Sequence, residues 1–293
     1  MRLPNPILVA SGTFGYGSES PTLTSARDLG GIVTKTVTLE PRAGNPAPRI
    51  HETPSGMLNS IGLQNVGARR FLSEKLPVVA ALGIPIIVSI GGRRAEDFVE
   101  VARILEDGEG ITALEINISC PNVKEGGLEF CAVPSAAAEV VSAVRAATRR
   151  PLWAKLSPNV TSIGVIARAC EEAGADGLTA INTFVGMAVD LRTRKPVIPG
   201  VTGGLSGPAI RPLALAKVRE VVRASRLPVI GVGGIATASD ALEFLLVGAR
   251  AVQVGTANFR EPWAAAGMSR EIQQYLAEIA QCSLEDWIGS CSA

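Results

Sequence analysis

Short β-branched apolar runs alternate with helical stretches along the whole chain. The runs are "PILVASG" (6–12), "GIVTKTVTL" (31–39), "PIIVSIGG" (85–92), "ITALEINISC" (111–120), "PLWAKLSP" (151–158), "GLTAINT" (177–183), "PVIGVGG" (228–234) and "AVQVGTANF" (251–259). Several are apolar at nearly every position, as expected of parallel strands buried on both faces. Between them lie amphipathic segments such as 135–150 and 162–175, and glycines at 83, 174 and 248 close helices just before the next strand. A doubly wound open sheet shares this alternation. Eight β-then-α units without a composition break or linker favour an α/β fold of the (β/α)8 barrel type, with residues 1–293 as one domain.

In such a barrel the site lies at the C-terminal ends of the strands. Those ends carry Ser11, Lys35, Thr36, Ser89, Asn117, Cys120, Lys155, Asn182, Thr183, Gly233, Gly234, Gly255 and Thr256. This is a polar ring whose only charges are two lysines. Two connections on that face, 40–66 and 184–208, are long enough to cover a ligand. The seventh and eighth strands end in "GVGGI" and "VGTA", each followed by helical sequence. Glycines admit close approach of backbone N–H groups to an anion, and loops in these two positions form the recurrent phosphate site of this barrel. A tight turn explains one Gly-Gly alone; the two together point to a phosphorylated ligand such as flavin mononucleotide (FMN). No Walker-type phosphate loop occurs.

Composition narrows the function classes. Charged residues are 19% of the chain and the formal net charge is +1, which gives no general attraction to nucleic acid or anionic lipid. No apolar run approaches the roughly 18 residues of a membrane span, and no signal peptide opens the chain. The five cysteines are odd in number, scattered and without a C-x-x-C pair. That pattern argues against a zinc site or an in-chain iron–sulfur cluster and suits a reducing, cytoplasmic setting.

Lys35 and Lys155 interrupt apolar strands. A buried ammonium costs several kcal/mol unless it is paired, so each lysine either snorkels to a surface or faces an anionic or electron-rich ligand. Cys120 is either a small buried hydrophobe or a reactive thiol. Its place at a strand end, between Asn117 and Asn122 and stopped by Pro121, favours the second reading. A thiol of ordinary pKa near 8.5 takes a proton from carbon when held against it. The only histidine, His51, lies in the loop after the second strand and reads as a surface or loop-packing residue, so no Ser-His-Asp set can be built.

These segments together resemble the class 1 dihydroorotate dehydrogenases, and within them the 1B type. The resemblance covers nearly the whole chain. It is carried by "ASGTFGYG" (10–17), "KTVTLEPRAGNPAPRIHETPSGMLNSIGLQN" (35–65), "INISCPNVKEGG" (116–127), "AKLSPN" (154–159), "GLTAINT", "TGGLSGPAIRP" (202–212), "GVGGI" and the strand containing "VGTANF". The long motif at 35–65 is the most specific and sets the 1B type apart from the fumarate-using 1A type. The resemblance implies that Cys120 is the base that takes the C5 proton of dihydroorotate while FMN receives the C6 hydride. It implies FMN contacts at Ser11, Lys35, Thr36, Asn117, Lys155, Ile181, Gly207, Gly233, Gly234, Gly255 and Thr256. It implies substrate contacts at Lys35, Asn59, Ser60, Ile61, Gly62, Leu63, Asn117, Asn182 and Thr183, and a lid over 121–134. It further implies a separate FAD- and [2Fe–2S]-containing subunit that passes electrons to NAD+, with this chain a homodimer within a heterotetramer.

Three features depart from that pattern. The chain begins later than family members usually do; the missing piece would be a small hairpin near the barrel bottom, so either the start is misassigned or that end is simplified. Ser89 stands where an asparagine near the flavin is common. The lid ends in "EFCAVP" rather than "F-G-T-D-P", so Cys131 is a second thiol there. Among rival readings, a tRNA dihydrouridine synthase needs a basic RNA-binding surface and an extra helical domain. A barrel without catalysis does not need Lys35, Asn59, Asn117, Cys120 and Asn182 together.

Overall fold

The computed structural model describes residues 1–17, 28–118 and 132–292. In chain order its strands are β1 (Ile7–Val9), β2 (Gly31–Val33), β3 (Ile50–Thr53), β4 (Gly56–Asn59), β5 (Ile86–Ile90), β6 (Ile111–Asn117) and β7 (Leu152–Leu156). They continue with β8 (Gly177–Ala180), β9 (Phe184–Gly186), β10 (Val189–Asp190), β11 (Lys195–Pro196), β12 (Gly203–Ser206), β13 (Val229–Val232) and β14 (Ala251–Val254). Eight of them close a barrel in the order β1-β14-β13-β8-β7-β6-β5-β2. Every neighbouring pair is parallel, and the seam is β1 against β14, with Ile7 opposite Val252.

The period-2 geometry of these strands builds two cores. Inward residues Leu8, Val33, Ile87, Ala113, Trp153, Ile230 and Ala251 pack on one another inside the barrel. Outward residues such as Ile7, Val9, Ile86, Val88, Leu152 and Leu178 pack against the surrounding helices. The helix Ala95–Glu106 buries Phe98, Val101, Ala102 and Leu105, one stripe at helical spacing. The helix Ala238–Leu246 opens on a capping box: Thr237 Oγ1 accepts from Asp240 N at 3.2 Å, and the Asp240 carboxylate accepts from Thr237 N at 2.9 Å. Gly83, Gly174 and Gly248 take positive φ, the conformation expected of glycines that end helices.

The strands are shorter than the apolar runs suggest. The run 31–39 is a strand only over Gly31–Val33; past it one bridge remains, Val37 to Ile90. The run 251–259 ends its strand at Val254 and turns into the short helix Ala257–Arg260. The run 177–183 ends at Ala180. In each case the residues that leave the ladder include ones that line the site.

The long connections are not plain loops. Residues from 40–66 and 184–208 pair across the barrel mouth in a four-stranded antiparallel sheet, β3-β4-β12-β9. Asn59 lies opposite Gly204 and Leu58 opposite Leu205, while Gly204 lies opposite Val185 on the far side. Among the described residues no helix is long and apolar enough to cross a membrane.

Candidate active site

A cavity of about 2020 Å3 opens at the C-terminal ends of the barrel strands, beneath this sheet. A site for one small molecule typically measures roughly 300–1,000 Å3, so the space exceeds what one small ligand needs. Its barrel side is lined by Ser11 after β1, Lys35 and Thr36 after β2, Asn117 at the end of β6 and Lys155 on β7. Ile181 after β8, Gly233 and Gly234 after β13, and Gly255 and Thr256 after β14 complete it. The covering sheet contributes Asn59 at the end of β4, then Ser60, Ile61, Gly62 and Leu63. Asn182 and Thr183 lead into β9, and Gly207 follows β12. Every described residue that the sequence suggested for flavin or substrate contact therefore faces one space. Cys120, Cys131, Asn122 and most of the 121–134 stretch lie outside the described residues.

Short polar side chains tie this wall together. Thr36 Oγ1 shares hydrogen bonds with Ser11 Oγ at 3.3 Å and Ser89 Oγ at 3.0 Å, and accepts one from Asn117 Nδ2 at 3.3 Å. Asn117 Oδ1 accepts from Asn182 Nδ2 at 3.4 Å, and Asn182 Oδ1 accepts from Thr183 N at 2.8 Å. Ser89 itself is fully buried and does not line the cavity; it supports Thr36 from behind instead of offering a ligand contact. His51 is exposed on β3 and does not line the cavity.

The glycine-rich end is built by close packing. A side chain at Gly234, whose φ is +78°, would put its Cβ 2.8 Å from the backbone nitrogen of Arg211. The strand end therefore presses directly on the start of the helix Arg211–Ala224. At the same end Thr256 Oγ1 donates to Ser206 Oγ at 2.8 Å. A cradle of small residues with two hydroxyls and no carboxylate among them fits a phosphate group. The opposite wall, of amides and a lysine, fits a planar polar ligand.

Beneath the strand-end ring, which carries Lys35 and Lys155, lies a buried carboxylate. Glu115, on β6, is fully buried inside the barrel, and its Oε1 lies 3.8 Å from the Nζ of Lys155. Its Oε2 accepts from Thr179 Oγ1 at 2.9 Å and from Gln253 Nε2 at 2.8 Å. A glutamate inside the run "ITALEINISC" was the available signal, since an unpartnered carboxylate there would be costly. Two more residues joined the site unannounced. Asn45 Nδ2 donates to Ser60 O at 3.1 Å and Oγ at 2.9 Å. Asn159 donates to Thr183 O at 3.0 Å and accepts from Val185 N at 3.0 Å, fixing the entry to β9.

Comparison with known proteins agrees with this geometry. The family model described as "Dihydroorotate dehydrogenase" matches residues 1–276. A protein of Geotalea uraniireducens (strain Rf4) named "Dihydroorotate dehydrogenase B (NAD(+)), catalytic subunit" is 52% identical over 290 residues, covering 99% of this chain and 95% of the relative. Proteins of the same name from Pelobacter propionicus and Geobacter sulfurreducens are 51% and 52% identical with the same coverage. With the barrel, the covered cavity and matches that span nearly the full chain, this protein belongs to the dihydroorotate dehydrogenase family.

Proposed function

We propose that this chain oxidises (S)-dihydroorotate to orotate in de novo UMP synthesis, as the catalytic subunit of an NAD+-linked enzyme. The observation that carries the reading is the single cavity into which all the described candidate residues project. The relatives' shared name supports the substrate and the acceptor.

We assign FMN as the cofactor, with residues 1–293 forming one barrel domain that holds it. Gly207, Gly233, Gly234, Gly255 and Thr256 would hold its phosphate. Ser11, Lys35, Thr36, Asn117, Lys155 and Ile181 would bound its ring. Bound there, FMN supplies a two-electron acceptor for the hydrogen on C6 of the substrate. The chain's own groups do the rest. Asn59, Asn117, Asn182 and Thr183, with the segment Ser60–Leu63, orient the substrate's polar edges. Lys35 offers a cation to its carboxylate at the wall of the cavity, where a charge acts more strongly than in bulk water. The covering sheet restricts water, and Cys120 Sγ takes the proton from C5.

Electrons leave through a separate subunit that carries FAD and a [2Fe–2S] cluster and binds NAD+, two copies of each chain forming the heterotetramer. The relatives' designation as a catalytic subunit supports a partner. The scattered cysteines support a cytoplasmic setting. The test is anaerobic mixing of the purified yellow protein with dihydroorotate. The 450-nm flavin band should bleach and orotate should appear in equal amount. A flavin that stays oxidised would refute the reading.

A further inference from the structure

We propose that Glu115 is a positioning residue that acts on the flavin through Lys155. The proposal rests on the reading of the cavity as an FMN site, but its geometry is independent of that reading. Glu115 is fully buried, and Lys155 is 6% exposed with its side chain at the cavity wall. The carboxylate is held asymmetrically. Oε2 takes both hydrogen bonds, from Thr179 on β8 and from Gln253 on β14. Oε1 has no hydrogen-bond partner among the described residues and lies 3.8 Å from Lys155 Nζ. Two strands thus clamp one oxygen and leave the other facing the ammonium.

Stability alone does not account for this arrangement. A buried ion pair is often no more stabilising than apolar residues of the same shape, and the layer directly beneath is apolar, with Ala113, Trp153 and Ala251. What the pair does supply is place. Lysine has four flexible bonds and three donors, and its head group roams unless an anion fixes it. With Glu115 below, the ammonium is fixed at the cavity wall, where it favours the electron-rich reduced ring over the oxidised one. Without Glu115, a lone ammonium inside the barrel costs several kcal/mol, so the lysine leaves the wall or gives up its charge.

Glu115→Gln keeps the shape and an oxygen for Thr179, and removes the anion. The readout is the midpoint potential of the bound flavin, measured by equilibration with reference dyes. We expect it to fall by the equivalent of a tenfold loss in preference for the reduced form, about 30 mV for a two-electron couple. In a Lys155→Met background the same substitution should shift it little. A direct field of Glu115 on the flavin would act with the opposite sign, and if it dominated, its loss would raise the potential in both backgrounds. A rise, no change, or a fall that persists without Lys155 overturns the proposal. Should Glu115→Gln fail to fold, Gln253→Leu frees the same carboxylate from its far anchor, and an unmoved potential there overturns it equally. A wild-type chain that binds no FMN would fail the flavin reading alone. A crystal structure of Glu115→Gln would then decide, and Lys155 remaining in place would count against the positioning role.

Discussion

A thiol serves as a base only where its anion can form, and the cysteines of this chain divide on that ground. Cys170 faces the core from the helix Ile163–Glu172, and burial pushes its thiol up to about 12. Iodoacetamide at neutral pH should leave Cys170 of the folded protein unmodified, as read by peptide mass spectrometry. Cys120 is the opposite case in the proposed mechanism. Cys120→Ala should still bind FMN but slow its reduction by dihydroorotate by about 10²–10⁴-fold. Stopped-flow reduction at an unchanged rate would remove it from the mechanism, and Cys131→Ala is the control with the smaller expected effect. Cys120 could be singled out in sequence because a strand end is a position with a known meaning. Glu115, five residues earlier in the same run, signals by its place in an apolar strand only that it needs partners; which ones was not legible, because they come from β7, β8 and β14 and only barrel register brings them together.

Helices here are capped by their neighbours as well as by their own residues. Ser162, the residue before Ile163–Glu172, makes no side-chain cap to that helix. Glu220, on the helix Arg211–Ala224, fills the role: its Oε1 accepts from Gly164 N at 3.0 Å and from Ser162 Oγ at 3.1 Å, while Lys217 Nζ lies 3.3 Å from Oε2. Burial pushes the Glu220 carboxyl up, but the Gly164 N–H, Lys217 and Ser162 outweigh it, and the net direction is down from 4.5. Its contribution is therefore fully present above about pH 4.5 and lost as pH falls through the lowered value. Glu220→Gln should cost about 1 kcal/mol at neutral pH and flatten the acid side of the stability profile in urea titrations. An acid limb identical to wild type would show that the cap is not coupled to protonation. Among the elements, the barrel strands were legible because β-branched apolar runs mark them. Their ends were not: "TKTVTL" alternates like a strand, yet Lys35, Thr36 and Thr38 turn to the site or to local partners. The covering sheet was invisible for a different reason. Strands as short and polar as Gly203–Ser206 exist only through pairing with residues far away in sequence.

The whole molecule is close to neutral, so no general field draws an electron acceptor toward it. In the proposed relay, transfer to NAD+ depends on a specific docked subunit. The purified chain alone should turn over dihydroorotate with artificial dyes and poorly with NAD+, and addition of the proposed FAD- and iron–sulfur-containing subunit should restore NAD+ turnover. Efficient NAD+ reduction by the single chain would exclude the relay, and efficient fumarate reduction would place the protein with the 1A type. The barrel seam carries one further consequence, for synthesis on the ribosome. β1 is made first; β2 follows it early, but its other partner β14 lies more than two hundred residues later, so one edge of β1 leaves the exit tunnel long before it can pair. Until then Ile7, Leu8 and Val9, none of which sees solvent in the finished barrel, lie on an unpaired strand edge open to other nascent chains. Gly255 and Thr256 follow that last strand and form part of the cavity wall, so a partly made chain lacks that part of the wall. If the proposed phosphate site is right, cofactor loading waits until β14 and the residues after it are made, and flavin supply during translation does not protect the first half of the protein.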